Sequence, residues 1–365
     1  MSALFSPIKL AGLELHNRLV VSPMCQYSAD DGSATDWHMM HLGMLANSGA
    51  ALVVVEATAV ERLGRITHGC LGLYSDDNEL ALGRVIAQCR RRGTAKFGIQ
   101  IAHAGRKASS QLPWDGGHAL KAGQDPWGTI APSASPFGEN WHQPAEMTDA
   151  DMARVRDAFV NSIKRALRIG FDAIELHMAH GYLFHSFMSP ISNARKDGFG
   201  GSMENRLKFP LEVARAARAA VPKDIPLGAR ITGSDWRDGG LTADDAVTIA
   251  KALKGAGLDF ICVSSGGITF DTRNPTTDGY NVALAERVKK EAGIPSRAVG
   301  LIFTPQQAED IIAKGQADQV AMARAFLDDP HWAWHAAKTL GGEVPRPSQY
   351  LRVGPKMWAP AAKSA

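Results

Sequence analysis

The sequence predicts a (β/α)8 barrel, and three features of the chain carry this prediction. Short apolar segments recur eight times along the 365 residues, amphipathic segments long enough for a helix separate most of them, and glycine often precedes the next apolar segment. Strands that alternate with helices in this way form parallel βαβ units. Eight units with nearly continuous apolar strands favour a closed barrel over an open, doubly wound sheet. The open sheet is also disfavoured because no G-x-G-x-x-G turn follows the first strand.

The eight predicted strands are short, apolar and spread along the whole chain. They cover residues 19–22, 51–55, 97–101, 173–176, 226–231, 260–264, 296–299 and 319–322. Six glycines are placed to end the helices that precede strands: Gly49, Gly93, Gly170, Gly257, Gly293 and Gly315. Glycine takes the left-handed conformation that closes a helix without a Cβ clash, so these positions mark helix ends.

Helix starts are marked by capping residues at Thr148, Thr242 and Thr304. The first two have an aspartate three residues later, which is the spacing of a capping box. The third is followed by proline, a residue favoured at the first helical position. In the helix predicted from Asp149, apolar residues recur at helical spacing and form one buried stripe.

Three segments lie outside the repeat, within what we expect to be a single domain over residues 1–365. Residues 1–17 precede the first strand and are expected to cap the barrel. Residues 104–148 are rich in Gly, Pro, Trp and Ser and form a long insertion after the third strand, placed to overhang a site. The tail 341–365 has prolines at 345, 347, 355 and 360, which predicts extended chain rather than helix.

Composition excludes several classes of function. The net charge of +3, without a basic run interleaved with aromatic residues, argues against a nucleic-acid partner. No apolar run approaches the roughly 18 residues of a membrane span. The first residues lack the pattern of a signal peptide, so a cytoplasmic protein is expected. The cysteines are scattered and show no zinc or iron–sulfur spacing; they are Cys25, Cys70, Cys89 and Cys262.

The segment 174–182 carries the strongest functional signal. His177, His180 and Tyr182 follow the fourth strand, where active sites of this fold lie, and Gly181 permits a tight turn. Two imidazoles can donate to one anionic oxygen, and a phenol with a pKa of roughly 10 can give up a proton. Two alternatives are open. The histidines could be structural residues with all their hydrogen bonds made, beside a tyrosine of the core, or they could form half of a metal site. A metal site needs a third ligand and a base, but strand alternation is expected to turn Glu175 away.

The last three strands end in small residues, which predicts a phosphate cradle. The sixth strand runs into Ser-Ser-Gly-Gly at 264–267, the seventh into Val-Gly-Leu-Ile at 299–302, and the eighth into Ala323-Arg324-Ala325. The loops after the seventh and eighth strands are where barrels of this kind bind phosphate.

These residues together resemble a known family. The matching pieces are PMCQY at 23–27, DWHMMH at 36–41, QIAHAGRK at 100–107, ELHMAHGY at 175–182, NARKDGFGGSMENR at 193–206, VGLI at 299–302 and RAFLDDP at 324–330. They span nearly the whole chain in the family's order. The chain resembles the Old Yellow Enzyme family of flavin-dependent ene-reductases, in the branch with the bacterial xenobiotic reductases and thermostable ene-reductases. It departs at Ala323, where the family usually has glycine, and at Phe199, where it often has tyrosine.

The resemblance implies an enzyme that reduces FMN with NADPH or NADH and passes a hydride to an activated alkene. The FMN-binding residues that it implies are Pro23, Met24, Cys25, Ala57, Gln100, Arg230, Gly300, Leu301, Ala323 and Arg324. Among these, Gln100 suits the pyrimidine edge as both donor and acceptor, and Arg230 supplies positive charge near N1. Gly300, Leu301 and Arg324 are placed for the phosphate.

The resemblance also implies the catalytic residues. His177 and His180 would hold the carbonyl or nitro oxygen of the substrate, and Tyr182 would protonate the α-carbon. Tyr27 would position the substrate, and Cys25 would tune the flavin potential. Nitro compounds are further substrates by the same analogy, which is associational.

Self-association is a further expectation. Arg352 matches the family's arginine that reaches into a neighbouring subunit's active site, and Trp358 lies near it in the tail. On sequence alone Arg352 would be one more solvated arginine. If Arg352 does reach into a neighbouring subunit, the protein forms a homodimer or tetramer in which the same surface of each subunit makes the contact. Arg106 and Lys107 are candidates to attract the 2′-phosphate of NADPH.

Several interpretations compete with an ene-reductase. Other flavin barrels carry an iron–sulfur cysteine cluster with extra domains, or an RNA-binding domain with a basic surface, and this sequence has neither. A metal-dependent hydrolase that uses His177 and His180, or a barrel that only binds a nucleotide, remains open at this stage.

Overall fold

Eight parallel strands close into a barrel. The computed structural model describes residues 2–354, 357 and 358. Within them the strands are β1 (Ile8–Leu10), β2 (Leu13–Leu15), β3 (Leu19–Val21), β4 (Leu52–Ala59), β5 (Lys96–Ala102), β6 (Ile130–Ala131), β7 (Ala145–Glu146), β8 (Ala173–Met178), β9 (Leu227–Thr232), β10 (Phe260–Ser264), β11 (Ser296–Val299) and β12 (Gln319–Met322). The barrel order is β3-β4-β5-β8-β9-β10-β11-β12, and β12 pairs with β3 to close it. The predicted fold class is confirmed.

Helices surround the barrel between the strands. They are α1 (Asp36–Leu45), α2 (Asp76–Arg92), α3 (Asp149–Ile169), α4 (Leu183–Met188), α5 (Met203–Ala220), α6 (Ala243–Gly255), α7 (Val282–Ala292), α8 (Pro305–Ala313), α9 (Arg324–Asp328) and α10 (Trp332–Leu340). The capping boxes predicted at Thr148 and Thr242 are present, and the Thr304 hydroxyl accepts the N–H of Gln307. Apolar side chains of these helices pack against the outer face of the strands and form the main core.

All eight predicted barrel strands are confirmed, and β10, β11 and β12 have the predicted bounds. β4 is longer than predicted, because it continues to Ala59 after a register shift between Val55 and Ala57 against β5. Such a bulge re-aims the side chains around it and is common beside active sites. The residue at the bulge is Glu56.

The predicted helix-ending glycines behave in two ways. Gly170 and Gly293 are left-handed at the ends of α3 and α7, with φ of 95° and 61°. Gly93, by contrast, has φ of −93°, so the left-handed conformation predicted there is wrong. A Cβ at Gly93 would lie 2.5 Å from Cβ of Ala46, so close packing against the end of α1 explains this glycine.

The N-terminal segment closes the lower end of the barrel. β1 and β2 form an antiparallel hairpin, and Leu13 and Leu15 pack among residues of β3, β4, β8 and β12. The start of the chain is also anchored to α8. The carboxylate of Glu309 accepts the backbone N–H groups of Ala3 at 2.7 Å and Leu4 at 2.9 Å. The cap predicted for residues 1–17 is therefore a hairpin plug.

The insertion after β5 is largely irregular, as its composition suggests. It contains short 3₁₀ turns at Gly105–Lys107 and Pro113–Asp115, and β6 pairs with β7 in a separate two-stranded sheet. The tail differs from the prediction of extended chain, because Ser348–Val353 forms a 3₁₀ helix. This stretch lies after Pro347 and contains no proline, so nothing in it blocks a helical turn. Pro355 and Pro360 lie outside the described residues.

Candidate active site

His177, His180 and Tyr182 meet at the upper end of β8. The ring of His177 is 5.2 Å from that of His180 and 4.8 Å from that of Tyr182, in both cases edge to face. His180 has a left-handed backbone with φ of 60°, which turns the chain sharply after the strand. Gly181 follows with φ of 75°, and a Cβ there would lie 2.1 Å from O of Gly267. The loops after β8 and β10 are therefore in direct contact, and only glycine fits between them.

Both imidazoles are positioned as neutral hydrogen-bond donors. Nδ1 of His177 accepts the N–H of Ala179 at 3.3 Å, which places the ring proton on Nε2. Nε2 of His180 is 2.7 Å from Oγ of Ser264 at the end of β10. Burial lowers the pKa of both histidines well below the ordinary 6.5, and nearby positive charges add to this effect. At neutral pH each ring carries one N–H and no net charge.

The two tyrosines predicted for the site remain protonated there. Burial raises the pKa of Tyr182 well above its usual 10 and raises that of Tyr27 in the same direction. Tyr27 has a left-handed backbone with φ of 52°, and its ring contacts that of Trp114 from the insertion at 5.8 Å. The insertion therefore overhangs the site, as predicted. Ala57 and Tyr182 line one small cavity beside Cys70.

Cys25 lies partly exposed after β3, in the segment that also holds Pro23 and Met24. Desolvation, and then the carboxylate of Glu56, raise the pKa of Cys25 well above 9, so the group is a thiol rather than a thiolate. Glu56 accepts the N–H of Gln26 at 3.0 Å and thereby fixes this segment. Sequence reasoning noted Glu56 only as a residue after a strand, because the bulge that aims it depends on pairing with β5.

Buried charges lie inside the barrel below this segment. Glu175 accepts a hydrogen bond from Gln100 at 2.7 Å and pairs with Arg297 at 2.9 Å. Arg230 lies farther away, with Nε 3.5 Å from the same carboxylate. The expectation that Glu175 points away from His177 is wrong, since residues two apart on a strand share a face. Arg297 was missed, although an arginine within an apolar strand is a visible signal.

Arg230 supplies the test of fit for a flavin. It is 6% exposed, and its Nε and Nη2 have no hydrogen-bond partner among the described residues. Unpaired buried N–H groups are costly and point to an absent acceptor. The pyrimidine edge of a reduced, anionic flavin offers such an acceptor, and the amide of Gln100 lies one contact away through Glu175.

The residues predicted to bind phosphate lie at an open cleft of about 520 Å³ between the ends of β10, β11 and β12. Gly300, Leu301, Ala323 and Arg324 line it, so the structure brings the four predicted residues together. Gly300 has φ of 115°, and a Cβ there would lie 2.7 Å from Nδ2 of Asn281, which requires glycine. Arg324 is exposed and forms no ion pair within the described residues. Its charge is available to a phosphate.

Arg352 and Trp358 are not part of this cluster within one chain. Arg352 is exposed on the 3₁₀ helix Ser348–Val353, and Trp358 is 48% exposed near Lys338. Arg106 and Lys107, by contrast, are drawn inward. Arg106 donates to backbone oxygens of the insertion, and Lys107 donates to O of His180. The expectation that these two side chains are free for a 2′-phosphate is wrong.

Two further observations concern metal ions and membranes. In residues 2–354, 357 and 358, no three His, Cys, Asp or Glu side chains are grouped to hold a metal ion. In the same part of the chain, no helix is long and apolar enough to cross a membrane.

The closed (β/α)8 barrel, with an unpaired buried arginine near an open cleft, fits a flavin-dependent oxidoreductase. The family model for NADH:flavin oxidoreductases and NADH oxidases matches residues 3–343. The chain belongs to this family, the Old Yellow Enzyme family, and is an FMN-binding, NAD(P)H-dependent oxidoreductase.

Relatives and solved structures agree with this assignment. The NADPH dehydrogenase of Geobacillus thermodenitrificans is 43% identical over 353 residues, covering 96% of this chain and 98% of that protein. The NADPH dehydrogenase of Listeria innocua is 41% identical, with 96% and 99% covered. Morphinone reductase shares the fold with a TM-score of 0.76 at 23% identity, over 98% of this chain and 93% of that one. A 2-naphthoyl-CoA reductase superposes with a TM-score of 0.83 at 25% identity; 92% of this chain matches, but only 52% of that longer protein.

Proposed function

We propose that the protein reduces the C=C bond of α,β-unsaturated carbonyl and nitro compounds with electrons from NADPH or NADH. The observation that carries this proposal is the pocket at the end of β8. The ring of His177, a neutral imidazole, lies 5.2 Å from the neutral imidazole of His180 and 4.8 Å from the protonated phenol of Tyr182. Such a pocket suits a substrate that develops negative charge on one oxygen and needs a proton on a nearby carbon.

The histidines would bind the substrate oxygen. N–H groups of His177 and His180 donate to the carbonyl or nitro oxygen and strengthen their hold as negative charge develops there. Each preorganised donor of this kind contributes on the order of 3 kcal/mol to the transition state. Because both rings are neutral, they polarise the oxygen without handing over a proton.

FMN, when bound, would supply the hydride for the β-carbon of the alkene, with electrons from NAD(P)H. Tyr182 gives its phenolic proton to the α-carbon, so that hydride and proton together add two hydrogens across the double bond. The phenolate regains a proton from solvent. Tyr27 positions the substrate, and the neutral thiol of Cys25 would lie beside the cofactor.

The cofactor would be held at three places. Gln100 and Arg230 would contact the pyrimidine edge, and Pro23, Met24 and Ala57 would provide small or apolar surface for the rings. Gly300, Leu301, Ala323 and Arg324 would surround the phosphate. Because Gly300 has no side chain and that of Ala323 is short, the cleft has room for the phosphate.

Replacing Tyr182 tests the proposal. In Tyr182→Phe we expect reoxidation of the reduced enzyme by 2-cyclohexenone to slow at least 100-fold, since a positioned proton donor contributes about 10² to 10⁴. Reduction by NADPH should stay within a few-fold of the parent. Anaerobic stopped-flow absorbance of the flavin measures both steps. Tyr74→Phe, which removes a hydroxyl that donates to O of Asp31, is the matched control. An unchanged reoxidation rate in Tyr182→Phe would remove Tyr182 as the donor.

We also propose that the protein self-associates as a homodimer or tetramer in which Arg352 reaches the partner's pocket. The 3₁₀ helix that carries Arg352 also exposes Leu351 and Val353, at 57% and 38%. Apolar groups around a charged residue are typical of an interface.

Arg352→Ala should therefore raise the KM for 2-cyclohexenone several-fold. Dilution of the parent below the dissociation constant of its dimer should have the same effect. Sedimentation velocity and steady-state kinetics measure the two effects. Arg92→Ala, an exposed arginine at the end of α2, serves as the control. Full activity in a verified monomer would end this part of the proposal.

A further inference from the structure

Lys107 is a charged group of the site that the proposed function does not use. It ends the 3₁₀ turn Gly105–Lys107 directly after β5. Its Nζ donates to O of His180 at 2.7 Å and lies 3.4 Å from O of Gly267. The same Nζ is 4.7 Å from the centre of the Tyr182 ring and 4.4 Å from that of Phe137. One ammonium thus contacts the loops after β8 and β10, the insertion and the proton donor.

Close contacts hold the backbone around Lys107 in place. Lys107 therefore differs from a lysine at a mobile position on the surface. Gly105 packs so closely that a Cβ there would lie 2.9 Å from Cα of Leu183. Arg106 is 1% exposed and donates to O of Pro136 and O of Ile268. These contacts tie the turn to α4, to the insertion and to the loop after β10.

We infer that Lys107 is a positioning residue for alkene reduction, whose ammonium stabilises the negative charge left on Tyr182 after proton transfer. The inference rests on the proposed function, because it acts through Tyr182 as proton donor. An ammonium on the face of an aromatic ring is attracted to it, and the attraction grows when the ring becomes a phenolate. Burial makes this charge more effective, since little water screens it.

The protonation of Lys107 gives the inference a measurable signature. Burial, and then the neighbouring Arg106, lower the pKa of Lys107 to about 7. As pH rises through this value the ammonium loses its charge, and proton donation by Tyr182 should become slower. The ionisable groups that face it are Arg106, His177, His180 and Tyr182, and the two histidines in turn face His185 and Arg230.

Most of these neighbours do not titrate near neutrality. The pKa values of His177 and His180 are lowered well below 6.5, and that of Tyr182 is raised above 10. His185 accepts the N–H of Gly181 on Nδ1 and faces Asp235 at 2.8 Å with Nε2. The variants below separate its contribution from that of Lys107.

The experiment compares Lys107→Met, which keeps length without charge, with Lys107→Arg, which keeps the charge at every working pH. Reduced holoenzyme is mixed anaerobically with 2-cyclohexenone across pH 5.5 to 9.5, and reduction by NADPH is measured in parallel. We expect reoxidation in Lys107→Met to slow about tenfold, the order of effect of one ring-face cation, with no inflection near pH 7. Lys107→Arg should stay within about threefold of the parent below pH 7 and lose the inflection.

Additional variants make the result decisive. In the Tyr182→Phe background, Lys107→Met should cause no further loss, because the group through which it acts is gone. Lys121→Met, an exposed lysine of the same insertion, should behave as the parent. Flavin content and thermal unfolding report whether each variant is folded.

Three outcomes would overturn the inference: equal slowing of both half-reactions in Lys107→Met, an inflection near pH 7 that survives in that variant, or additive losses with Tyr182→Phe. Failure of the proposed function looks different. In that case Tyr182→Phe itself reoxidises at the rate of the parent, whatever residue stands at 107.

Discussion

The two ends of the flavin cleft are built from different chemistry. At the pyrimidine end the groups are side-chain charges inside the barrel, where Glu175 meets Arg297 at 2.9 Å and Arg230 at 3.5 Å. At the phosphate end they are backbone around Gly300 and one exposed arginine, Arg324. Buried charges act strongly on a neighbouring ring system, whereas exposed charges are screened by water and salt. The inner end is therefore suited to setting the electronic properties of the flavin, and the outer end to holding it.

The charge balance of the inner end supports this division. Two guanidinium groups, of Arg230 and Arg297, face the single carboxylate of Glu175. Arg297 is fully occupied, because it also donates to Oε1 of Gln319. Arg230 is left with unpaired N–H groups. The excess positive charge lies at the end that we propose for the pyrimidine edge, where a reduced flavin becomes an anion.

We expect the largest effect when the negative charge of Glu175 at the inner end is removed. In Glu175→Gln, two arginines lose their buried counter-charge, which should lower the free energy of unfolding by about 3 kcal/mol. FMN content after purification should fall as well. Urea unfolding monitored by far-UV circular dichroism, with FMN in excess, measures the first effect.

A double variant controls this prediction. Glu175→Gln combined with Arg297→Met removes one of the two stranded charges and should recover part of the lost stability. If the single variant is as stable as the parent, the inner end does not depend on paired charge, and the contrast between the two ends fails.

A smaller effect should appear in the pH dependence of stability. The pKa of His177 is lowered in the folded protein, so the unfolded chain binds its proton first as pH falls below 6.5. Stability must then decrease with falling pH, with a slope of about 1.4 kcal/mol per pH unit from this one group. His177→Gln should flatten the slope of the unfolding free energy between pH 6.5 and 5. Equal slopes in both proteins would show that the imidazole is not neutral in the folded site.

The smallest effect is expected at the outer end. Arg324→Ala should weaken FMN binding by about fivefold, since an exposed charge contributes up to about 1 kcal/mol. The loss should shrink in high salt, which screens the interaction. Fluorescence titration of apoprotein with FMN at two salt concentrations measures both. A loss that is large and independent of salt would mean that this end is as shielded as the inner one.

Sequence reasoning predicted the barrel because its signals are local. Apolar runs bounded by glycines and helix caps placed all eight strands, and three of them with the observed bounds. The bulge at Glu56 and the 3₁₀ turn at Ser348–Val353 were not predicted. The first depends on pairing with another strand, and the second depends on the spacing of prolines rather than their number.

In the candidate site, too, residues close in sequence were predicted and contacts between distant residues were not. His177, His180 and Tyr182 were found because they lie within six positions after one strand. Glu175 was placed on the wrong face, and its partner Arg297 lies 122 positions away. Lys107 reaches His180 across 73 positions. Contacts of this kind are decided by the closing of the barrel, which no local pattern in the sequence contains.

The anchoring of the chain's beginning has a consequence for biosynthesis. β3 needs β12 as its second neighbour, and the N–H groups of Ala3 and Leu4 need the carboxylate of Glu309. During translation, one edge of β3 therefore stays unpaired until residue 322 has left the ribosome. Until then this edge can pair with other strands, which is a common route to misfolding.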